Sequence, residues 1–144
     1  MKSKKIIVAV SLDGETHNAL MKLKEVDIGH DTEVHFVNIV PVVLYARGMQ
    51  FSLLTYPLPQ ERPAIEESVI DKLKGLKGEI LPHHGKVVYK CIFDPNEKAA
   101  FNDYVLSEQA DLVVVATRKK HGLFDSSFAQ HLLKHSPGNV LILK

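Results

Sequence analysis

The chain has 144 residues, and 18 basic against 17 acidic side chains leave a net charge of +1. That length suits one domain with a real core, and 45% hydrophobic with 24% charged residues is the composition of an ordinary soluble globular protein. The balanced charge argues against nucleic-acid and membrane-surface binding, which favour a basic bias, and no apolar stretch of the sequence reaches the roughly 18 residues of a membrane span.

Lys5 to Val10 is a short, nearly all-apolar run rich in β-branched residues. Such a run suits a parallel strand covered on both faces. The preceding Met1-Lys2-Ser3-Lys4-Lys5 resembles a charged signal start, but Ile6 to Val10 is too short for a signal core. Ser11-Leu12-Asp13-Gly14-Glu15-Thr16 is turn chemistry leading to a helix cap. Ala19, Leu20, Leu23 and Val26 recur at helical spacing until Gly29. Glu33 to Val40 is the second strand, closed by Pro41.

From Val42 to Pro63 the apolar residues lose their period and prolines interrupt them. The expectation there is a long connection packed as a surface flap, with room for a short helix. Ile65, Val69, Leu73 and Leu76 mark the second helix. Lys86 to Ile92 is the third strand. Asp94-Pro95-Asn96-Glu97 opens the third helix, with Asp94 expected as its cap. Ala99, Ala100, Val105 and Leu106 lie on that helix. Leu112 to Ala116 is the fourth strand. Phe128, Leu132 and Leu133 line the last helix, and Val140 to Leu143 is the fifth strand. The alternation argues a single α/β domain: a doubly wound parallel sheet with helices on both faces.

In such a sheet the ligand crevice lies beyond the carboxyl ends of the strands. The loop after the fourth strand is basic, Thr117-Arg118-Lys119-Lys120-His121, and is followed by Asp125-Ser126-Ser127 at a helix start. Free backbone N–H groups and the helix dipole favour an anion there, although a solvated charge run and a serine cap explain the same residues. His131 and His135 share a helix face, but the sequence shows no pattern that completes a metal site. His83-His84 reads as an exposed turn. Cys91, the single cysteine, excludes an internal disulfide, fits a reducing cytoplasm and reads as a small core residue. Asp13 and Asp94 lie where acids could hold a cation. No acid–base or nucleophile motif appears, so no catalytic residue is assigned.

Ile6-Ile7-Val8-Ala9-Val10-Ser11 at one end, and Asp111 to Arg118 with Phe128 to Ile142 at the other, resemble the universal stress protein family. The resemblance spans the whole chain and implies a five-stranded flavodoxin-like sheet, akin to the adenine-nucleotide hydrolases, with strand order 3-2-1-4-5. It also implies a homodimer paired through the last strand, here Val140, Leu141, Ile142 and Leu143. Many members bind ATP with a Gly-x-x-Gly pair, a spacer and Gly-Ser/Thr, and with an Asp at the end of strand one. Here Ser11 stands at the Asp, Ala116 at the first Gly, Lys119 at the second and Ser126 at the third, while Ser127 matches the Ser/Thr. The loop between them is shorter than the family's, and Phe93 replaces a Gly, where it would fill space near the base. A phosphate nest needs converging N–H groups and glycine backbone, so these departures place the chain with the branch that lacks the motif.

The function expected from this resemblance is a cytoplasmic, non-enzymatic stress-response protein. It would act through homodimerisation and an unknown protein partner, without tight ATP binding and without a required cofactor. The alternative is a nucleotide-binding member, taking ATP or AMP in a degenerate cleft lined by Ser11, Asp13, Val40, Ala116, Arg118, Ser126 and Ser127. A third class is a small phosphate-ester hydrolase.

Overall fold

The computed structural model describes residues 4–12, 14, 16–47, 52–116, 126–135 and 138–144. Its main sheet has five parallel strands: β1 Lys5–Ala9, β2 Glu33–Pro41, β5 Val87–Asp94, β6 Leu112–Ala116 and β7 Asn139–Leu143. They lie in the order β5-β2-β1-β6-β7, which is the expected order once β3 Val43–Arg47 and β4 Ser52–Tyr56, a separate hairpin, are set aside. The helices are α1 His17–Met21, α2 Arg62–Ile80, α3 Glu97–Glu108 and α4 Ser126–His135.

Strand alternation sorts the core into two layers. Val8 and Phe36 point to one face, where Leu20, Leu23, Leu73 and Ile80 cover them. Ile7, Val37 and Val113 point to the other, where Phe101, Val105 and Leu132 pack. Because both faces are covered, β1 reads as an unbroken apolar run with no polar alternation. Gly138 is required where the last connection meets the turn before β6: a Cβ there would lie 2.9 Å from the Ala110 carbonyl oxygen.

At the amino ends of the strands polar side chains tie the layers together. The Lys5 backbone N–H donates to Asp111 at 2.8 Å, and its Nζ donates to Glu108 at 3.0 Å. That bond holds the Glu108 carboxyl below the usual range. The buried His35 shares a 2.6 Å hydrogen bond with the Tyr104 hydroxyl. Burial, with Glu108 and Glu33 nearby, pushes the Tyr104 hydroxyl up to about 12.

Several sequence expectations change. The 42–63 segment contains an antiparallel hairpin, β3 Val43–Arg47 with β4 Ser52–Tyr56. At the described positions Val43, Leu44 and Tyr56 it is about half exposed, so no alternation is enforced there. The first helix is a single turn continued by a 3-10 segment, Lys22–Glu25. The third strand runs on to Asp94. The α3 cap is Asn96, whose side chain accepts from the Ala99 N–H at 3.1 Å, while Asp94 accepts from the Asn96 N–H at 2.8 Å. His84 is buried, its Nε2 donating to the Thr32 carbonyl at 2.6 Å, so an apparent turn histidine is a clasp between two loops. In α4, Leu132 is buried but Leu133 is exposed; the neighbouring leucines cannot both face the sheet.

Cys91 is buried as expected. Desolvation first, then the nearby Glu66 carboxylate, pushes its thiol up to about 11. About one molecule in a thousand then carries thiolate at pH 8, and the thiolate is the reactive form. The native protein should resist a thiol reagent at pH 8 and react fully once denatured. Fast stoichiometric labelling of the native protein would contradict this.

Candidate functional site

β1 sits between β2 and β6, in parallel with both. The chain leaves β1 toward the α1–α2 face, whereas beyond β6 it returns through α4, whose Leu132 packs on the opposite face. The connections therefore part at the carboxyl ends of β1 and β6, and a crevice opens at that switch point. The cavity there measures about 580 Å³, within the range of small-molecule sites.

The crevice has an apolar wall and a polar rim. Val37, Ile39, Phe101 and Val115 supply the wall; Ser11, Thr16, Asn38 and Asn96 bring polar groups. Their positions follow from the strand ends. The Val10 N–H donates to the Val37 carbonyl at 2.8 Å, which continues the β1–β2 pairing one residue past β1. The Val10 carbonyl then accepts from Asn38 Nδ2 at 2.8 Å. Buried Thr16 donates its hydroxyl to the Ser11 carbonyl at 3.3 Å and fixes the turn after β1. On the opposite side the start of α3 contributes Pro95, Asn96, Glu97 and Lys98. One N–H of that helix start is already taken by the Asn96 side chain, and Glu97 adds a carboxylate in the first turn. Glu97 and Lys98 give this edge of the crevice opposite charges that offset one another, while the Asn96 side chain satisfies part of the helix's donor capacity.

The sequence-derived candidates divide. Ser11 and Ala116 line the crevice. Asp13 and Arg118 lie outside the described residues, as does Lys119. Ser126 and Ser127 open α4 as expected, but their side chains lie outside the description. Val40 and Phe93 pack partly against the Val8–Phe36 layer and are not among the described residues that line the crevice; the Arg62 guanidinium lies 5.7 Å from the Phe93 ring centre. Asn38, Thr16 and Asn96 were missed as site residues. Asn38 carried a signal, being the one amide in the run Phe36-Val37-Asn38-Ile39-Val40. A polar side chain in a strand covered on both faces needs a partner.

Among the described residues no group of histidines, cysteines and acids could hold a metal ion. His131 and His135 do face one another, with ring centres 4.6 Å apart. Among the described helices none is long and apolar enough to cross a membrane. β7 forms one edge of the sheet. Leu143 is buried in the core, Val140 and Leu141 pack partly against it, and Ile142 is half-buried.

Residues 2–144 match the profile of the universal stress protein family. No curated protein matches the chain. A universal stress protein family structure from Burkholderia pseudomallei superposes with a TM-score of 0.66 at 17% identity, covering 97% of this chain and 95% of that one. A family protein from Arabidopsis thaliana with AMP bound superposes at 0.60 and 15% identity, covering 98% and 91%. The universal stress protein from Archaeoglobus fulgidus in complex with dAMP superposes at 0.62 and 14% identity, covering 100% of both. At these identities the superpositions establish the shared fold.

Proposed function

The chain belongs to the universal stress protein family, and on that premise we propose a non-enzymatic binding protein of the stress response. It works through self-association and a protein partner, and its crevice takes an adenine nucleoside monophosphate without gripping a triphosphate. The observation that carries this reading is the crevice itself. About 580 Å³ lies at the β1–β6 switch point, with an apolar wall, neutral amides and the offsetting charges of Glu97 and Lys98 at the α3 edge. That lining suits a base and ribose better than a chain of phosphates. AMP and dAMP in the two relatives are ligands of the size this reading requires.

The sequence supports the missing grip. Ala116, Lys119 and Ser126 stand where phosphate-binding members have glycine. A side chain at such positions restricts the turns that let backbone N–H groups converge on phosphate. Extra phosphates then add charge without adding partners.

Calorimetry with AMP and ATP, with and without magnesium, tests this reading. ATP should bind no more tightly than AMP, and magnesium should change neither. ATP binding more than about tenfold tighter than AMP, a gain of about 1.4 kcal/mol, would contradict it.

Self-association is proposed through β7, the edge strand, since an uncovered edge offers unpaired backbone groups to a second copy. Ile142 is the position for a test, because Leu143 is already a core residue and a charge there would damage the fold. Ile142→Lys should turn a dimer into a monomer in sedimentation while leaving the melting transition cooperative. A dimer that survives this change would place the contact elsewhere.

A further inference from the structure

We propose that Glu33, His35 and Tyr104 form a buried proton-uptake site that keeps the β2–α3 junction intact as the medium turns acid. When the ring takes the proton, Glu33 supplies the counter-charge and the Tyr104 hydroxyl turns from donor to acceptor. The site lies at the amino ends of the strands and does not depend on what the crevice binds.

Only 3% of the His35 side chain is exposed. Its Nδ1 lies 2.6 Å from the Tyr104 hydroxyl. Its Nε2 is buried without a hydrogen bond, and Glu33 Oε1 stands 3.4 Å from it. These neighbours decide where the single proton of the neutral ring resides. On Nδ1 it would leave a bare Nε2 lone pair facing a carboxylate, acceptor against acceptor. On Nε2 it points toward Glu33 and leaves Nδ1 to accept from Tyr104, which makes this the neutral form. Tyr104 keeps its proton to donate, because burial, with Glu108 and Glu33 nearby, pushes its hydroxyl up to about 12.

A second proton, taken from water, goes to Nδ1. The Tyr104 O–H then swings off that nitrogen and its oxygen accepts the new N–H, while the charge falls beside Glu33. The other charges around the ring come from the neighbouring elements. Lys5 on β1 lies 3.8 Å from Glu33 and 3.0 Å from Glu108 on α3. Its backbone N–H donates to Asp111, just before β6. Lys90 on β5 and His35 both act on Glu108. Lys5 meets Glu33 at Oε2, which leaves Oε1 for the ring. A buried imidazole with no counter-charge stays neutral in the fold and gains its proton only on unfolding, so stability falls as pH drops. Glu33 removes that loss by letting the folded protein take the proton too.

Thermal melting of the natural protein and of Glu33→Gln at about pH 8 and about pH 5.5 tests this. Histidines change charge in that window, whereas ordinary carboxylates and lysines do not. The variant's melting temperature should fall further below that of the natural protein at the lower pH, by an added 3 °C or more, on the order expected for a chain of this size. A gap that widens less, or is equal at both pH values, would show that Glu33 serves only its ion pair with Lys5, and would overturn the proposal. Nitrogen NMR of the His35 ring in the natural protein is the second readout, and it decides if the variant does not fold. The ring should be the Nε2–H form at about pH 8 and should gain the Nδ1 proton in the folded protein as pH falls. An Nδ1–H form, or a ring that stays neutral until the protein unfolds, would overturn the proposal.

Discussion

β1 is paired in parallel on both sides, with β2 and with β6, and is covered on both faces. A strand so enclosed has no place for chemistry along its length. Polar groups can appear only where it ends. The residues just past β1, Val10 and Ser11, are therefore where the backbone stops being consumed by the sheet and becomes available to side chains and ligands. The Val10 carbonyl goes to Asn38, and the Ser11 carbonyl goes to Thr16. The crevice is the consequence of this placement, because the connections beyond β1 and β6 leave to opposite faces.

On the proposed reading, the same constraint lets the two halves of a nucleotide site part company. The base-and-ribose half is built from the ends of β1, β2 and β6, which the core fixes regardless of what the loops do. The phosphate half depends on a loop after β6, where residue identity and length matter more than the sheet. On the proposed reading, Lys119 and Ser126 in place of glycine weaken the second half, while Ala116 belongs to the β6 end of the first. A protein of this kind can keep the fold and its pocket while giving up the triphosphate grip. The Asn96 cap, which occupies one of the helix's free N–H groups, works in the same direction.

Much of the architecture was legible because enclosed strands and amphipathic helices leave strong patterns. Ile6-Ile7-Val8 and Val113-Val114-Val115 are apolar throughout since both faces are buried, and Val69, Leu73, Leu76 and Ile80 keep helical spacing since one face of α2 is buried. The hairpin escaped because its exposed ribbon has no core to impose a period. His84 escaped because a buried imidazole bonded to a distant carbonyl, Thr32, leaves no local trace. The site was half legible. Ser11 and Ala116 follow from their place at strand ends, but Val40 required knowing which face each β2 residue takes near the crevice. Asn38 was overlooked, since its partner lies on another strand and the pairing register was not available from sequence.

The separation of the nucleoside half from the phosphate half is tested most directly by a nuclear magnetic resonance titration that removes the phosphates altogether. Adenosine added to isotope-labelled protein should shift the Asn38 side-chain amide and the backbone amides of Val10, Ser11 and Ala116 along a saturating curve, whereas tripolyphosphate should leave them in place. Resonances that ignore adenosine but move with tripolyphosphate would show that the phosphate grip survives and that the crevice is not a nucleoside pocket.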